Sequence, residues 1–288
     1  MITAARAGPP RRLKILSRLA LLLAPKLPRG HWRLTKFAAD RDPALWDIPI
    51  PLASIPGAHI RADLRETVFM NFLRYGCIPG QAGHDRLFAQ LVKRGDTVFD
   101  IGANVGYTML IFSHLVGPDG KVVAMEPGRR AFAGLARNAE KLSNVALLQV
   151  AASDRVGEAT FHETPMSDIS SLEHVAGAVE FSVPTTTADR VAQQQGAPDF
   201  VKIDVEGHEP SVLRGLAGLI GSARPPILLF EALDKRLREE CVATIASLAA
   251  EPAPIFRLRS DGTLASDLEG PGTNDYLFVP AWAAARLG

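Results

Sequence analysis

The sequence predicts an α/β protein, a three-layer sandwich in which helices cover both faces of a mainly parallel sheet. Two observations support this prediction. From residue 97 onward, short apolar runs of strand length alternate with segments of helical length and periodicity. The first run, Thr97–Ile101, is followed at once by closely spaced glycines, which is typical of the tight turn between strand and helix in a βαβ unit.

The elements follow one another in a regular order. Helices are expected at 105–116, 129–142, 210–220 and 235–249. Strands are expected at 97–101, 121–126, 145–150, 159–162, 179–183, 200–204, 227–231, 255–259 and 275–279. We therefore expect one α/β domain at 96–288, preceded by a helical and irregular extension at 41–95 with a Pro-rich connector, and by a basic segment at 1–40.

The basic segment differs in charge from the rest of the chain. Its first 36 residues contain nine of the 32 Lys and Arg residues and no acid, so the net charge of +1 divides into +9 here and −8 in the remainder. A predicted amphipathic helix places its apolar residues on one face: Leu13, Leu16, Leu19, Ala20 and Leu23. Its basic residues lie opposite, at Arg11, Lys14 and Arg18, and Pro25 and Pro28 stop the helix. Such a helix either attaches to a membrane surface or an acidic partner, or forms a loose or self-packed terminus.

Composition excludes several classes of protein. A hydrophobic content of 47% is too high for disorder, and the chain has no internal repeat. Cys77 and Cys241 lie too far apart to indicate a disulfide framework or a zinc site. The longest apolar run, 19–24, is too short for a membrane span or a secretion signal. We expect a cytoplasmic protein, with peripheral membrane contact through the basic segment left open.

The glycine turn that follows the first strand indicates a cofactor site. Asp100, Gly102, Asn104 and Gly106 form a pattern that lacks the third glycine of a dinucleotide motif. An aspartate at the strand end suits the cationic S-adenosylmethionine better than the diphosphate of NAD. Glu126, which ends the next strand, accepts ribose hydroxyls from either ligand and does not discriminate between them.

These residues also carry a resemblance to a known family. Asp100–Gly106, Glu126-Pro127, Asn138 and above all the octet 202–209 resemble the FkbM-type methyltransferases. The resemblance implies a class I, Rossmann-like methyltransferase fold. It also implies O-methylation of hydroxyls on sugars, glycolipids or polyketide-like natural products. It assigns the cofactor to Asp100, Gly102, Asn104, Gly106 and Glu126, and makes Asp154 an adenine-side acid, although Asp154 also fits an ordinary turn before Gly157.

Several acids end apolar strands and should converge at one edge of the sheet. These strand-end acids are Asp100, Glu126, Asp204 and Glu231. Asp204 is the first candidate to orient the acceptor hydroxyl or take its proton, although it also fits a helix cap. Lys202 shares a face with Asp204 and is expected either to pair with a strand-end acid or to reach solvent.

Two further residues near Asp204 are candidates for catalysis. Glu206 assists Asp204 or, with Asp204 and Glu231, binds a divalent metal; the prediction we retain has no metal. His208 is a candidate base, with an exposed helix start as the alternative.

Two other functions compete with methyl transfer. One is an NAD-dependent oxidoreductase, and the other is a non-catalytic methyltransferase-like binding module recruited by its basic segment. Nucleic acid is not an expected partner, since the body is acidic and has no basic stripe with interleaved aromatic residues. The expected partner is a small-molecule, glycan or lipid hydroxyl substrate.

Overall fold

The computed structural model describes residues 14–23, 26, 31–65, 69, 72–73, 75–77, 82–164, 170–270 and 273–287. The chain divides into two compact units, Met1–Ile78 and Pro79–Gly288. Among the described residues, no helix combines the length and apolar character needed to cross a bilayer.

The first unit contains two helices and a small antiparallel sheet. The helices are α1 (Ile15–Leu23) and α2 (His31–Ala39), and the strands are β1 (Ile48–Pro51) and β2 (His59–Ala62). The region expected to be a Pro-rich connector thus contains a β-hairpin. Prolines are tolerated there because a two-stranded sheet has only edge strands, where a missing N–H leaves no ladder bond unmade.

Asp42 forms hydrogen bonds that hold α1 in place within this unit. Its carboxylate accepts hydrogen bonds from the backbone N–H of Lys14, at 3.0 Å, and from the hydroxyl of Ser17. The Ser17 hydrogen bond, aided by the N–H donors, lowers the pKa of Asp42. The predicted helix is therefore present from Ile15, whereas Leu13, Arg11, Pro25 and Pro28 lie outside the described residues.

The second unit is built from an eight-stranded sheet, a three-stranded sheet and seven α-helices among its described residues. The helices are α3 (Ala82–Leu91), α4 (Tyr107–Val116), α5 (Arg129–Ala139), α6 (Ala188–Gln195), α7 (Glu209–Arg214), α8 (Ala217–Ile220) and α9 (Lys235–Leu248). The strands are β3 (Thr97–Ile101), β4 (Lys121–Met125), β5 (Val145–Leu148), β6 (Ala151–Ala152), β7 (Gly157–Glu163), β8 (Val179–Thr186), β9 (Phe200–Ile203), β10 (Ile227–Glu231), β11 (Ile255–Leu258), β12 (Leu264–Ala265) and β13 (Asp275–Phe278).

The large sheet has the order β12-β11-β13-β10-β9-β3-β4-β5. Strands β10, β9, β3, β4 and β5 pair in parallel, and β13 runs antiparallel between β10 and β11. The strand order reverses at β3, because the chain first builds outward through β4 and β5 and then returns to place β9 on the other side. The predicted mainly parallel α/β fold, of the class I methyltransferase type, is confirmed.

Alternate residues of the central strands face opposite helical layers, which confirms the three-layer prediction. Val201 and Ile203 of β9 join the buried cluster that α6, α7, α8 and α9 cover. Phe200, on the other face, contacts the rings of Phe88 on α3 and Phe112 on α4, with centroids 6.0 and 5.6 Å away. Both faces are apolar, as expected for parallel strands that are covered on each side.

The structure differs from the expected elements in two places. The helix expected at 210–220 is interrupted at Gly215, where an added Cβ would overlap the carbonyl oxygen of Ser153, so α7 and α8 form instead. The irregular section after β5 forms a separate sheet of order β6-β8-β7. Helix α6 was not among the predicted elements, since its eight residues are mostly polar. Helix α3 lies within the extension at 41–95 that was expected to be helical and irregular.

The aromatic cluster gives a test of the packing between α3, α4 and β9. We expect Phe112→Ala to lower the free energy of unfolding by about 3–5 kcal/mol, because the fully buried ring leaves a cavity against Phe88 and Phe200. Urea unfolding measures the change. Val156→Ala, at an exposed position, is the control and should change stability by no more than about 0.5 kcal/mol. Equal stabilities of the two variants would contradict this packing.

Candidate active site

The strand register brings several of the predicted acids onto one face at the carboxyl end of the sheet. Asp100 of β3 lies directly beside Lys202 of β9, and Leu229 of β10 lies on the other side of Lys202. Asp204 and Glu231 each follow two residues later, so their side chains project from the same face one row further along. The predicted convergence of these acids therefore results from the parity of three neighbouring strands.

Lys202 is the cation at the centre of this acidic edge. Its ammonium donates to Asp204 Oδ2 at 2.9 Å, which confirms the expected pairing with a strand-end acid. Burial alone would lower the pKa of Lys202, but the negative charges of Asp204 and Asp100 and the hydrogen bond outweigh burial and raise it. Lys202 therefore keeps its charge although it is only 8% exposed.

The glycine turn after β3 packs directly against the end of β9. Gly102 has φ 77°, and a Cβ at this position would overlap the backbone carbonyl oxygen of Asp204. The N–H groups of Gly102 and Ala103 both donate to Met125 O on β4, each at 3.0 Å. Glycine is thus needed at 102 for the close approach, and the turn holds three strand ends together.

Asn138 and Gly106 fix the far end of the same turn. The amide of Asn138 on α5 donates to the carbonyl of Val105 at 2.8 Å. Gly106 has φ 96°, and an added Cβ would lie 2.8 Å from Met109 and 2.9 Å from Leu135. The turn is therefore shaped by packing against both α4 and α5.

Two oxygen atoms near the turn are buried but have no hydrogen-bond partner within the described residues. They are Oδ1 of Asp100 and Oδ1 of Asn104. The other oxygen of Asp100 accepts from the Thr108 hydroxyl at 2.8 Å. Full burial raises the pKa of Asp100, and the nearby charge of Lys202 opposes that rise. Such acceptors suit a ligand that brings hydrogen-bond donors or positive charge.

Glu126 joins the turn to the end of β4. Its two oxygens accept the N–H groups of Asn104, at 2.9 Å, and Gly128, at 2.7 Å. Burial raises the pKa of Glu126 to about 7, although these two hydrogen bonds oppose the rise. Each carboxylate oxygen has further lone pairs, so Glu126 can still accept hydroxyl groups of a ligand.

The residues present fit S-adenosylmethionine. Asp100 and Asn104 would offer acceptors to a cationic amino acid moiety, and Glu126 would offer acceptors to a pair of ribose hydroxyls. The turn itself contains glycines where a side chain would block the backbone approach. A diphosphate would meet the buried carboxyl of Asp100, which disfavours a dinucleotide.

Asp204, Glu206 and Glu231 form a second cluster at the edge. An oxygen of each lies within 4.8 Å of an oxygen of the others, which is close enough to share a cation. Burial, followed by the charges of Asp204, Glu206 and Asp275, raises the pKa of Glu231 to about 9. Glu231 therefore holds a proton at neutral pH, and Asp204 already has a cation in Lys202.

His208 lies between two loops instead of facing water. Its Nε2 is 3.0 Å from the Ser153 hydroxyl, and its Nδ1 is 3.0 Å from Glu173 Oε1. Both ring nitrogens are thus engaged, so His208 can accept a substrate proton only if one contact opens. Asp154 follows Ser153 directly, is exposed, and lies 3.3 Å from the Ser153 hydroxyl.

Two buried groups near this edge were not among the predicted site residues. Glu209 is fully buried and accepts from the N–H groups of Val205 and Gly207, so it shapes the loop that carries Glu206. His84 on α3 contacts Asp275 Oδ2 through Nε2 at 2.9 Å. Glu209 lies in the octet motif at 202–209, so the motif could have indicated it. The contact between His84 and Asp275 joins residues far apart along the chain, so no local sequence pattern indicates it.

Comparison with known proteins gives two curated relatives. The chain is 26% identical to the hexuronic acid methyltransferase AglP of Haloferax volcanii, over 48% of this chain and 56% of that protein. It is 28% identical to the 2-O-methyltransferase NoeI of Sinorhizobium fredii, over 46% of this chain and 62% of that protein. The chain thus spans less than two thirds of the length of either relative.

Solved structures that resemble the chain at low identity include one with bound S-adenosyl-L-methionine and one with bound SAH. Fibrillarin of Aeropyrum pernix, solved with S-adenosyl-L-methionine, has a TM-score of 0.43 and 14% identity, over 69% of this chain and 76% of that chain. The O-methyltransferase of Bacillus cereus, solved with SAH, has a TM-score of 0.39 and 15% identity, over 69% of this chain and 80% of that chain.

The family model described as the methyltransferase FkbM domain matches residues 100–251. This match covers just over half of the 288 residues and extends from the strand-end Asp100 to the end of α9. It includes the glycine turn, Glu126, the octet at 202–209 and Glu231, which form the acidic edge. The chain belongs to the FkbM methyltransferase family.

Proposed function

We propose that this protein is an S-adenosylmethionine-dependent O-methyltransferase that acts on a hydroxyl group of a sugar or glycolipid. The observation that carries the proposal is the close approach of Gly102 to the backbone carbonyl of Asp204, which supports an acceptor-side role for this residue beside the glycine turn. The two relatives, a hexuronic acid methyltransferase and a 2-O-methyltransferase, support a sugar hydroxyl as the acceptor.

The chemistry requires alignment of the hydroxyl and a place for its proton. S-adenosylmethionine supplies a methyl group on a sulfonium, which needs no further activation. Asp204, whose side chain is 35% exposed, accepts the hydroxyl hydrogen and directs the oxygen toward the cofactor turn. Lys202 holds that carboxylate in position from below. With the cofactor bound, its sulfonium would supply the methyl group to the oxygen and leave as a neutral thioether, while Asp204 takes the hydroxyl proton.

The charges at the edge favour a neutral acceptor over an acidic one. Asp204 and Glu206 are partly exposed, and residues 37–288 carry a net charge of −8. A carboxylate or phosphate next to the reacting hydroxyl would be repelled by these acids. We therefore expect neutral glycosides to be methylated in preference to uronates, which distinguishes this chain from a hexuronic acid enzyme.

An NAD-dependent oxidoreductase is the less favoured alternative. The buried Asp100 disfavours a diphosphate, and both curated relatives are methyltransferases. A binding module without catalysis would explain the cofactor turn but would give no role to the pair formed by Lys202 and Asp204 at the open edge.

We also propose that helix α1 of the first unit contacts an anionic membrane surface. Large apolar residues of α1 are exposed on one stripe, at Ile15, Leu19, Leu22 and Leu23, while Ser17 and Ala20 are buried. The structure thus exposes Leu19 and Leu23 of the predicted apolar face. Nine basic residues and no acid in the first 36 residues complement anionic lipids.

Replacement of the acceptor-side carboxylate tests the mechanism. We expect Asp204→Asn to lower kcat about 10²- to 10⁴-fold and to leave cofactor binding within about threefold, because the close contact of the glycine turn with residue 204 is to its backbone, which the substitution leaves unchanged. Transfer of labelled methyl from S-adenosylmethionine to neutral glycosides measures kcat, and calorimetry measures cofactor binding.

Glu140→Gln, an exposed acid outside the edge, is the matched control and should retain wild-type activity. Unchanged kcat in Asp204→Asn would remove this residue from the mechanism. Label found in nucleic acid and not in any glycan would contradict the proposed substrate class.

The pKa of Glu126 gives a test of its role in cofactor binding. Because the ionised carboxylate accepts two ribose hydroxyls, protonation below pH about 7 should weaken S-adenosylmethionine binding about tenfold per pH unit. Calorimetric titrations at pH about 6, 7 and 8 measure this slope. In Glu126→Gln, affinity should be lower at pH about 8 and nearly independent of pH; a wild-type slope in this variant would assign the titration to another group.

Vesicle binding tests the proposed role of α1. We expect Leu19→Gln combined with Leu22→Gln to weaken binding to phosphatidylglycerol vesicles about tenfold or more, because two apolar side chains no longer enter the bilayer interface. Cosedimentation measures binding, and phosphatidylcholine vesicles test the need for anionic lipid. Val156→Gln with Val179→Gln, two exposed apolar positions of the second unit, is the control and should bind normally. Equal loss in both double variants would contradict the proposal.

A further inference from the structure

A cluster of three potential metal ligands lies on the small sheet, outside the acidic edge. It comprises His162 on β7, Glu180 on β8 and His174 on the segment 170–178 that connects toward β8. One ligand atom from each residue lies within 4.8 Å of the others. His162 and Glu180 are directly opposite each other in the antiparallel register, so the sheet itself sets their spacing.

His162 points a nitrogen into this cluster without a hydrogen bond. The residue is only 7% exposed, and its Nδ1 is buried with no hydrogen-bond partner in the described part of the chain. The carboxylate oxygen Oε1 of Glu180 lies 3.4 Å from Nδ1. A buried polar atom that lacks a partner destabilises the fold, so a ligand that bonds to Nδ1 would remove this unfavourable contribution.

We propose that His162, His174 and Glu180 bind a first-row divalent cation of the zinc type. Two imidazoles and one carboxylate are a donor set that zinc accepts, with a solvent molecule in the fourth position. Ligand atoms about 2.0–2.1 Å from a tetrahedral ion are about 3.3 Å apart, which is close to the 3.4 Å between His162 Nδ1 and Glu180 Oε1. His174 is exposed, and its ligand atom lies within 4.8 Å of those of the other two residues.

A bound ion at this site would stabilise the segment 170–178 and the loop that this segment contacts. The segment 170–178 also carries Ser171, whose hydroxyl donates to the carbonyls of Val205 and Glu206, and Glu173, which contacts His208. A metal bond to His174 would therefore hold this segment against β7 and β8. It would also stabilise the loop on which Glu206 and His208 lie, at one side of the acidic edge.

Zinc titration of the full chain tests the proposal. We expect the chelator-treated protein to bind one Zn²⁺ per chain at this site, measured by competition with a chromogenic chelator. His174→Ala and Glu180→Gln, both at exposed positions, should each weaken that binding about 100-fold or more without loss of fold. His114→Ala, an exposed histidine on α4, is the matched control and should bind zinc as the wild type does.

A second variant and a second readout separate this site from the acidic edge. Glu231→Gln alters the cluster of Asp204, Glu206 and Glu231 and should leave the proposed zinc binding intact. Hydrogen exchange should show that Zn²⁺ protects residues 170–178 in the wild type but not in His174→Ala. No zinc binding by the wild type, or wild-type affinity for zinc in His174→Ala and in Glu180→Gln, would overturn the proposal.

Discussion

The buried ammonium of Lys202 is the group on which the rest of the site depends. Asp100 is fully buried beside it, and Asp204 is bonded to it at the open end of the same face. Removing one member of a buried ion pair typically lowers stability by 3–5 kcal/mol, since the partner charge stays in an apolar surrounding. With Lys202 in place, three parallel strands can end in carboxyl groups within a few residues of one another. Without it, the edge would contain only like charges.

The charge of Lys202 does not neutralise all the acids of the edge. Several of the remaining carboxyl groups have a raised pKa and so retain a proton more readily. The pKa of Glu126 and of Glu209 is raised to about 7, and that of Glu231 to about 9, in each case mainly by burial. A carboxyl whose pKa is higher in the folded than in the unfolded chain binds a proton more tightly when folded. Its contribution therefore becomes unfavourable as the pH rises through the unfolded pKa toward the folded value. The candidate site thus destabilises the ligand-free protein near neutral pH, and binding of a cationic ligand would offset this.

Much of this edge could be predicted from the sequence, because side chains two residues apart on a strand share a face and parallel strands end at the same edge of the sheet. The spacing of Lys202 and Asp204 predicts a shared face, and the structure confirms their ion pair. The contacts of His208 with Ser153 and Glu173 could not be predicted, since they join three loops that are 55 and 35 residues apart along the chain. Likewise, no local pattern relates His162 to His174 and Glu180; the β7 and β8 register brings the first and last together. Sequence periodicity describes single elements, whereas these contacts arise from how elements pair.

The division of charge along the chain is consistent with the two proposals of acceptor and location. An acidic edge that favours neutral hydroxyls would reject anionic headgroups, while the basic first 36 residues would be attracted to them. A lipid-linked neutral sugar suits both the acidic edge and the basic first 36 residues. Its lipid carrier lies in the anionic surface, and its neutral hydroxyls extend into water. A soluble neutral sugar would suit the acidic edge alone and would leave the exposed apolar stripe of α1 without a role. The combination of a basic, apolar helix with an acidic site therefore favours glycolipids over free sugars within the proposed substrate class.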